Sequence, residues 1–134
     1  DISKIYLSSM VFIFTNQNNI NQVTGDKKEL FGENFIKNVK QVYKVKYNED
    51  FPQLDHHATR LLVESMVEVM EDNKALIYDP DIGFKGLIPA TFAFQISRKL
   101  SIKGIGLRIR FTRSPTEVRN VLNSPDEWEI SIIE

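Results

Sequence analysis

Apolar residues at Ile2, Ile5, Tyr6, Met10, Ile13 and Phe14 recur at intervals of three and four, the spacing of one helix face. Val11 and Phe12 widen that face, which implies burial on more than one side. Asn16-Gln17-Asn18-Asn19 either ends this helix or rides on its polar side, and Gly25-Asp26-Lys27 breaks the pattern. Between Asn34 and Tyr47, a second stripe of Phe35, Val39, Val42 and Tyr43 predicts another helix. Val45 and Tyr47 also suit a strand there, and the stripe favours the helix. From Asp55 to about Asp72, Ala58, Leu61, Leu62, Met66, Val69 and Met70 fall at helical spacing, with Asp55 placed as N-cap.

Residues 75–87 are rich in turn formers, and a further helix starts at Pro89. It carries Phe92, Ala93, Ile96 and Leu100 inward, Arg98 and Lys99 in its last turn and Gly104 beyond its end. Then the period changes to two: Ile105, Leu107, Ile109 and Phe111 alternate with Gly106, Arg108, Arg110 and Thr112, a strand with one apolar and one basic face. Ser114-Pro115 with Glu117 and Ser124-Pro125 with Glu127 each join a capping serine, a proline at the first helical position and a glutamate three residues on, so two short helices are expected. Trp128, Ile130 and Ile132 alternate with Glu127, Glu129 and Ser131, which also fits a strand; the capping signal favours the helix.

The chain has 134 residues with 42% apolar and 26% charged, which fits one folded domain and argues against disorder or a coiled-coil rod. Seventeen basic against eighteen acidic residues leave a net charge of −1, so no overall field draws in nucleic acid. There is no cysteine, which excludes disulfides, thiolate metal sites and CxxCH haem attachment within these residues. The longest apolar run, Met10 to Phe14, is far short of the roughly 20 residues that span a bilayer, and no signal-peptide pattern opens the chain. Starting at Asp1 and stopping at Glu134 without a polar tail, the chain reads as cut from something longer.

Few residues suggest chemistry. Arg60, Glu64, Glu68 and Glu71 make a charged stripe opposite the apolar face of their helix, which reads as solvated surface because hydrolytic carboxylates must face each other across a cleft. Asp79 and Asp81 start a calcium-loop pattern that Gly83 and Phe84 break. His56 and His57 are adjacent, so on a helix they diverge by about 100° and make a poor metal pair. No nucleophile motif or phosphate loop occurs, and no enzyme is expected. Arg108 and Arg110 project about 7 Å apart from one strand face, with Arg113 and Arg119 following, and form a candidate anion site. The Asn16, Gln17, Asn19 and Asn21 group reads as a helix-ending polar tract or, less simply, as an uncharged ligand clamp.

Four phrases carry a family likeness: Asn16-Gln17-x-x-Ile20-Asn21; Gly25-Asp26-Lys27; Gly83-Phe84-Lys85-Gly86-Leu87-Ile88-Pro89-Ala90-Thr91-Phe92-Ala93; and Ser124-Pro125-Asp126-Glu127-Trp128-Glu129. Together they resemble a bacterial domain of originally unknown function related to the c-type haem sensor domains, found in the extracytoplasmic part of membrane-bound histidine kinases and related signalling proteins. The resemblance implies an α+β, PAS-like sensor, a helix-rich N-terminal part packed on an antiparallel sheet of about five strands. It implies a periplasmic location, an unknown small-molecule ligand, and parent transmembrane and transmitter segments as partners. Relatives that carry haem use CxxCH, typically beyond the Pro-Asp-x-Trp-Glu phrase, and this chain ends five residues after it. No cofactor is therefore assigned within residues 1–134, read as a single sensor domain whose C-terminal part is either complete or cut. For such a sensor, Asn16, Gln17, Phe84, Lys85, Arg108 and Arg110 are the residues expected to line the pocket or its lid. Homodimerisation through the broad apolar face of the first helix is a further expectation. The competing reading is a structural or protein-interaction module without a small ligand.

Overall fold

The structure, a computed structural model, describes residues 2–111 and 128–133. Helix α1 (Ile2–Thr15) lies at the centre and contacts α3 (Gly32–Tyr47), α4 (His57–Asp72), α6 (Pro89–Ile102) and strand β2 (Trp128–Ile133). This explains the breadth of its apolar pattern: Ile5, Tyr6, Leu7, Met10, Phe12 and Ile13 are all buried, together with Ser8 and Ser9. The two serines return their hydroxyls to the backbone of the preceding turn, Ser8 Oγ to the Lys4 carbonyl at 2.8 Å and Ser9 Oγ to that of Tyr6 at 2.6 Å. Two short helices, α2 (Gln17–Asn21) and α5 (Lys74–Ile77), follow α1 and α4.

Aromatic side chains join the long helices. Phe12 meets Phe35 edge-on at 5.4 Å, and Phe35 meets Phe92 at 6.2 Å, so α1, α3 and α6 share one cluster. The buried Tyr6 hydroxyl donates to the Ala93 carbonyl at 3.0 Å, tying α1 to α6. Each helix that encloses this core ends where its sequence dictates. Asn48 takes the left-handed conformation after α3, at φ 54°, and its N–H donates to the Lys44 carbonyl. Past α6, Gly104 N–H donates to Ser101 and Ile105 N–H to Leu100, a Schellman closure that needs the positive φ of Gly104. His56, one residue later than the expected Asp55, occupies the N-cap position of α4.

Strands β1 (Gly106–Phe111) and β2 pair antiparallel, with Ile109 opposite Ile130, Leu107 opposite Ile132 and Arg108 opposite Ser131. Ile130 is buried, and Leu107 and Ile109 pack against the core. The protein is thus mostly helical, with six α-helices and one two-stranded antiparallel sheet among the described residues. Residues 128–133 correct the helix expected there: the period-two alternation prevails, because pairing with β1 buries Ile130 whereas a helix would scatter these residues around its axis. The start signals at 114–117 and 124–127 lie outside the described residues.

Candidate functional site

The phrases Asn16-Gln17-x-x-Ile20-Asn21, Gly25-Asp26-Lys27 and Gly83 to Thr91 are brought together around the end of α1. Asn16 Nδ2 donates to the Phe12 carbonyl at 2.8 Å, at the α1–α2 junction. Gln17 Nε2 donates to the Ile13 carbonyl at 2.9 Å and across to the Leu87 carbonyl at 2.8 Å. Asn21 Nδ2 donates to Gln17 Oε1 at 3.3 Å, which orients the Asn21 amide so that its Oδ1 accepts the Lys85 N–H at 2.8 Å. Two amides 64 and 70 residues away in sequence therefore hold the loop that leads into α6. Where the loop enters α6, Thr91 Oγ1 accepts the Ile88 N–H at 3.0 Å and donates to the Gly86 carbonyl at 2.8 Å.

Two buried lysines complete the cluster. Lys27 is 1% exposed. Its ammonium donates to the carbonyls of Ile20 at 3.0 Å and Ile77 at 2.6 Å and to that of Gln22, so all three protons are used. Ile20 and Gln22 lie at the C-terminal end of α2 and Ile77 closes α5, so the cation sits where two helix ends present unpaired carbonyl dipoles. Gly25, at φ 111°, lets the chain turn back between α2 and this lysine. Lys85 is also buried and donates its ammonium to the carbonyls of Asp79, at 2.6 Å, and Ile82. Neither lysine has a carboxylate within 4.0 Å among the described residues. Burial, and then the nearby Lys85 charge, hold the Lys27 pKa below its ordinary value. Tyr78 stacks on Phe31 at 5.7 Å and lies 5.9 Å from the Lys27 ammonium.

The six residues expected at a pocket therefore divide. Asn16, Gln17 and Lys85 use their polar groups on the protein's own backbone rather than presenting free donors: Asn16 closes the α1–α2 junction, while Gln17 and Lys85 fasten the 79–88 loop. Phe84, at the loop's tip, is 68% exposed. Arg108 stands exposed on β1, and Arg110 lies two positions along the same strand, opposite Glu129 in register. Arg113 and Arg119 lie outside the described residues. The structure brings Gln17 and Lys85 together and places the arginines on a separate element. Lys27 is the residue that sequence reasoning missed, since a charged side chain in a turn reads as solvent-facing. A lysine just after a glycine that reverses the chain is the signal that could have found it.

Other polar groups are similarly engaged. Among the described residues every buried side-chain nitrogen and oxygen has a hydrogen-bond partner, and no group of three His, Asp or Glu side chains is placed to hold a metal ion. His56 and His57 are exposed beside a cavity of about 330 Å³ also walled by Ile105, Ile132 and Ile133. The acidic stripe of α4 is only partly solvated: Lys103 reaches Glu68 at 2.8 Å, Glu64 at 3.2 Å and Ser65 Oγ at 3.0 Å, while Lys99 reaches Asp72 at 2.7 Å. Burial lowers the Lys103 pKa, but the Glu68 and Glu64 carboxylates outweigh it and leave the value raised. No helix among the described residues is long and apolar enough to cross a membrane. In comparisons with protein-family models, curated proteins and solved structures, nothing matches this chain.

Proposed function

We propose that this chain is the extracytoplasmic, PAS-like sensor domain of a bacterial membrane-bound signalling protein such as a histidine kinase, and that it acts by ligand-biased conformational change rather than by catalysis. One observation carries the reading: three of the four phrases behind the family likeness, spread from Asn16 to Ala93, meet in a single hydrogen-bonded cluster. The 79–88 loop is the element a ligand would bias. It is fastened by amides and ammonium–carbonyl contacts instead of by a wide apolar footing, and it carries Phe84 at its exposed tip. Leu87, where the loop meets Gln17, is buried in the same core as α1, and α1 contacts three further helices and a strand, so displacement of the loop is felt at the centre of the fold. A ligand moves this equilibrium only as far as it prefers one arrangement over the other. Covalent haem has no attachment point in these residues, which lack cysteine.

The second reading, a protein-interaction module, is favoured by the exposure of Ile82 and Phe84 on the same loop. Melting the 134-residue chain against a panel of small carboxylates, phosphates and other anions, with a haem titration followed by absorbance, separates the two. A ligand at 100 times its dissociation constant adds roughly 2.7 kcal/mol, or about 10 °C for a domain of this size. The sensor reading expects such a shift together with altered hydrogen exchange at Lys85 and Leu87. A stable complex with a partner protein, and no shift across the panel, replaces it with the interaction module.

A further inference from the structure

Helix α3 is one-sided in charge. Its inner face buries Phe35, Val39 and Tyr43, while the lysines Lys37, Lys40, Lys44 and Lys46 stand against a single acidic residue, Glu33 in the first turn. The neighbouring α4 carries the reverse excess, but there Lys99 and Lys103 arrive from α6 to match Glu64, Glu68 and Asp72. The α3 lysines are matched far less: among the described residues Lys37 and Lys40 have no carboxylate within 4.0 Å, and Lys44 has only Asp50, at 3.1 Å. Both members of that pair are exposed, so water and salt screen it. A net charge of −1 thus conceals a local basic surface.

The shape of this surface indicates what it fits. Lys37, Lys40 and Lys44 follow one another at intervals of three and four, over about 10 Å of helix, and line one open depression of about 410 Å³ together with Asp50 and Phe51. The Lys40 ammonium lies 5.6 Å from the centre of the Phe51 ring, a contact that orients the side chain and leaves its charge in place. Gln41 and Val45 line both this depression and a second, of about 380 Å³, where Val42 of α3 meets Val11 of α1. Val45, between the two, is 78% exposed. Ammonium groups around one hollow and valines along the next suit a molecule that joins a phosphate to a hydrocarbon: the phosphate takes charge-assisted bonds, and the hydrocarbon covers the valines. Single-stranded nucleic acid suits it less, because base stacking needs an open aromatic face and Phe51 is half-buried beneath Lys40.

We propose that the outer face of α3 is a docking surface for anionic phospholipid, with headgroup phosphates among Lys37, Lys40 and Lys44 and the start of the acyl region over Val45 and the groove beside it. The proposal stands on the charge and shape of α3 and does not need the sensor reading. Its test involves no soluble ligand, so either can fail without the other.

Co-sedimentation of the 134-residue chain with phosphatidylcholine vesicles containing about 30% phosphatidylglycerol tests it. Binding is expected at about 50 mM salt, falling as added salt shortens the screening length, and none is expected on pure phosphatidylcholine. Lys37→Gln and Lys40→Gln each weaken it about fivefold, whereas Asp50→Asn, which frees Lys44, tightens it. Val45→Ser weakens it about threefold and leaves retention by a single-stranded oligonucleotide unchanged. All four positions are exposed, and circular dichroism checks that each variant is folded. Equal binding to both kinds of vesicle, no binding at low salt, or lysine variants that bind like wild type overturns the proposal. An oligonucleotide that binds more tightly than the vesicles overturns it in favour of nucleic acid.

Discussion

Four lysines bind their surroundings in two ways. Lys99 and Lys103 join α6 to α4 through carboxylates of Glu64, Glu68 and Asp72, all with partial access to water. Lys27 and Lys85 are buried and meet backbone carbonyls from α2, α5 and the 79–88 loop. A surface pair exchanges hydration for a screened attraction and nets little. A buried ammonium surrounded by carbonyls has no such exchange available, because removing it leaves several acceptors without a donor or water. The first arrangement adjusts a helix contact that apolar packing already secures, whereas the second determines where the chain runs.

The largest expected effect follows directly. Lys27→Met keeps the apolar stem and strips the donors from Ile20, Gln22 and Ile77, so urea unfolding is expected to show a loss of about 3–5 kcal/mol. Set against a typical total of roughly 5–15 kcal/mol, that brings the protein close to unfolding. Lys27→Ala sharpens the test, since it opens room for a free cation: ammonium chloride should raise its midpoint, and tetramethylammonium chloride, which cannot donate, should not. A loss below about 1 kcal/mol would show that water replaces the ammonium, and the distinction between the two lysine pairs would fail.

A smaller effect is expected from Gln17→Ala. It removes the donor to Leu87 and the group that orients Asn21, at a cost of about 1–2 kcal/mol. The local signature matters more than the total. Hydrogen exchange at the Lys85 amide, held only by Asn21 Oδ1, should accelerate, while the Ile105 amide in the Schellman closure of α6 keeps its protection. Equal acceleration at both would mean that the loop has no separate stability. Smaller again is Lys103→Met, expected to cost about 0.5–1 kcal/mol, an effect that fades in 1 M salt where the screening length is about 3 Å.

How far the sequence could be read depends on how local each determinant is. The β1 alternation, the α4 stripe and the Gly104 closure are legible because each is decided within a few residues. Residues 128–133 misled because Ser124-Pro125-Glu127 is a local start signal, whereas the strand is decided by pairing with Gly106–Phe111. The α4 carboxylates appeared merely solvated because Lys99 and Lys103 arrive from another helix. In the candidate site, the polar character of Gln17 was visible and its partner across the fold was not, since Leu87 lies 70 residues beyond it. Lys27 was hidden most completely: its charge signals exposure, and only the meeting of α2 and α5 supplies the carbonyls that allow burial.

The finest distinction between the two kinds of lysine is the sign of their response to alkali. Lys103 has a raised pKa in the fold, so the stability it contributes is fully present below the ordinary value of 10.5 and is lost as pH rises through the folded value. Lys27 has a lowered pKa, so between its folded value and 10.5 the unfolded chain binds more protons than the native one, and wild-type stability gains from rising pH. Tyr43, pushed up to about 12 by burial and then by Glu49, adds its own loss above pH 10, but this is common to every variant and cancels in differences. Measured by urea unfolding from pH 8 upwards, the deficit of Lys103→Met relative to wild type should therefore shrink past pH 10.5, while that of Lys27→Met grows on the approach to it. Parallel curves would mean that the three carbonyls of Ile20, Gln22 and Ile77 hold the Lys27 proton as firmly as the Glu64 and Glu68 carboxylates hold that of Lys103, so that burial among dipoles and pairing with charges are equivalent in this protein.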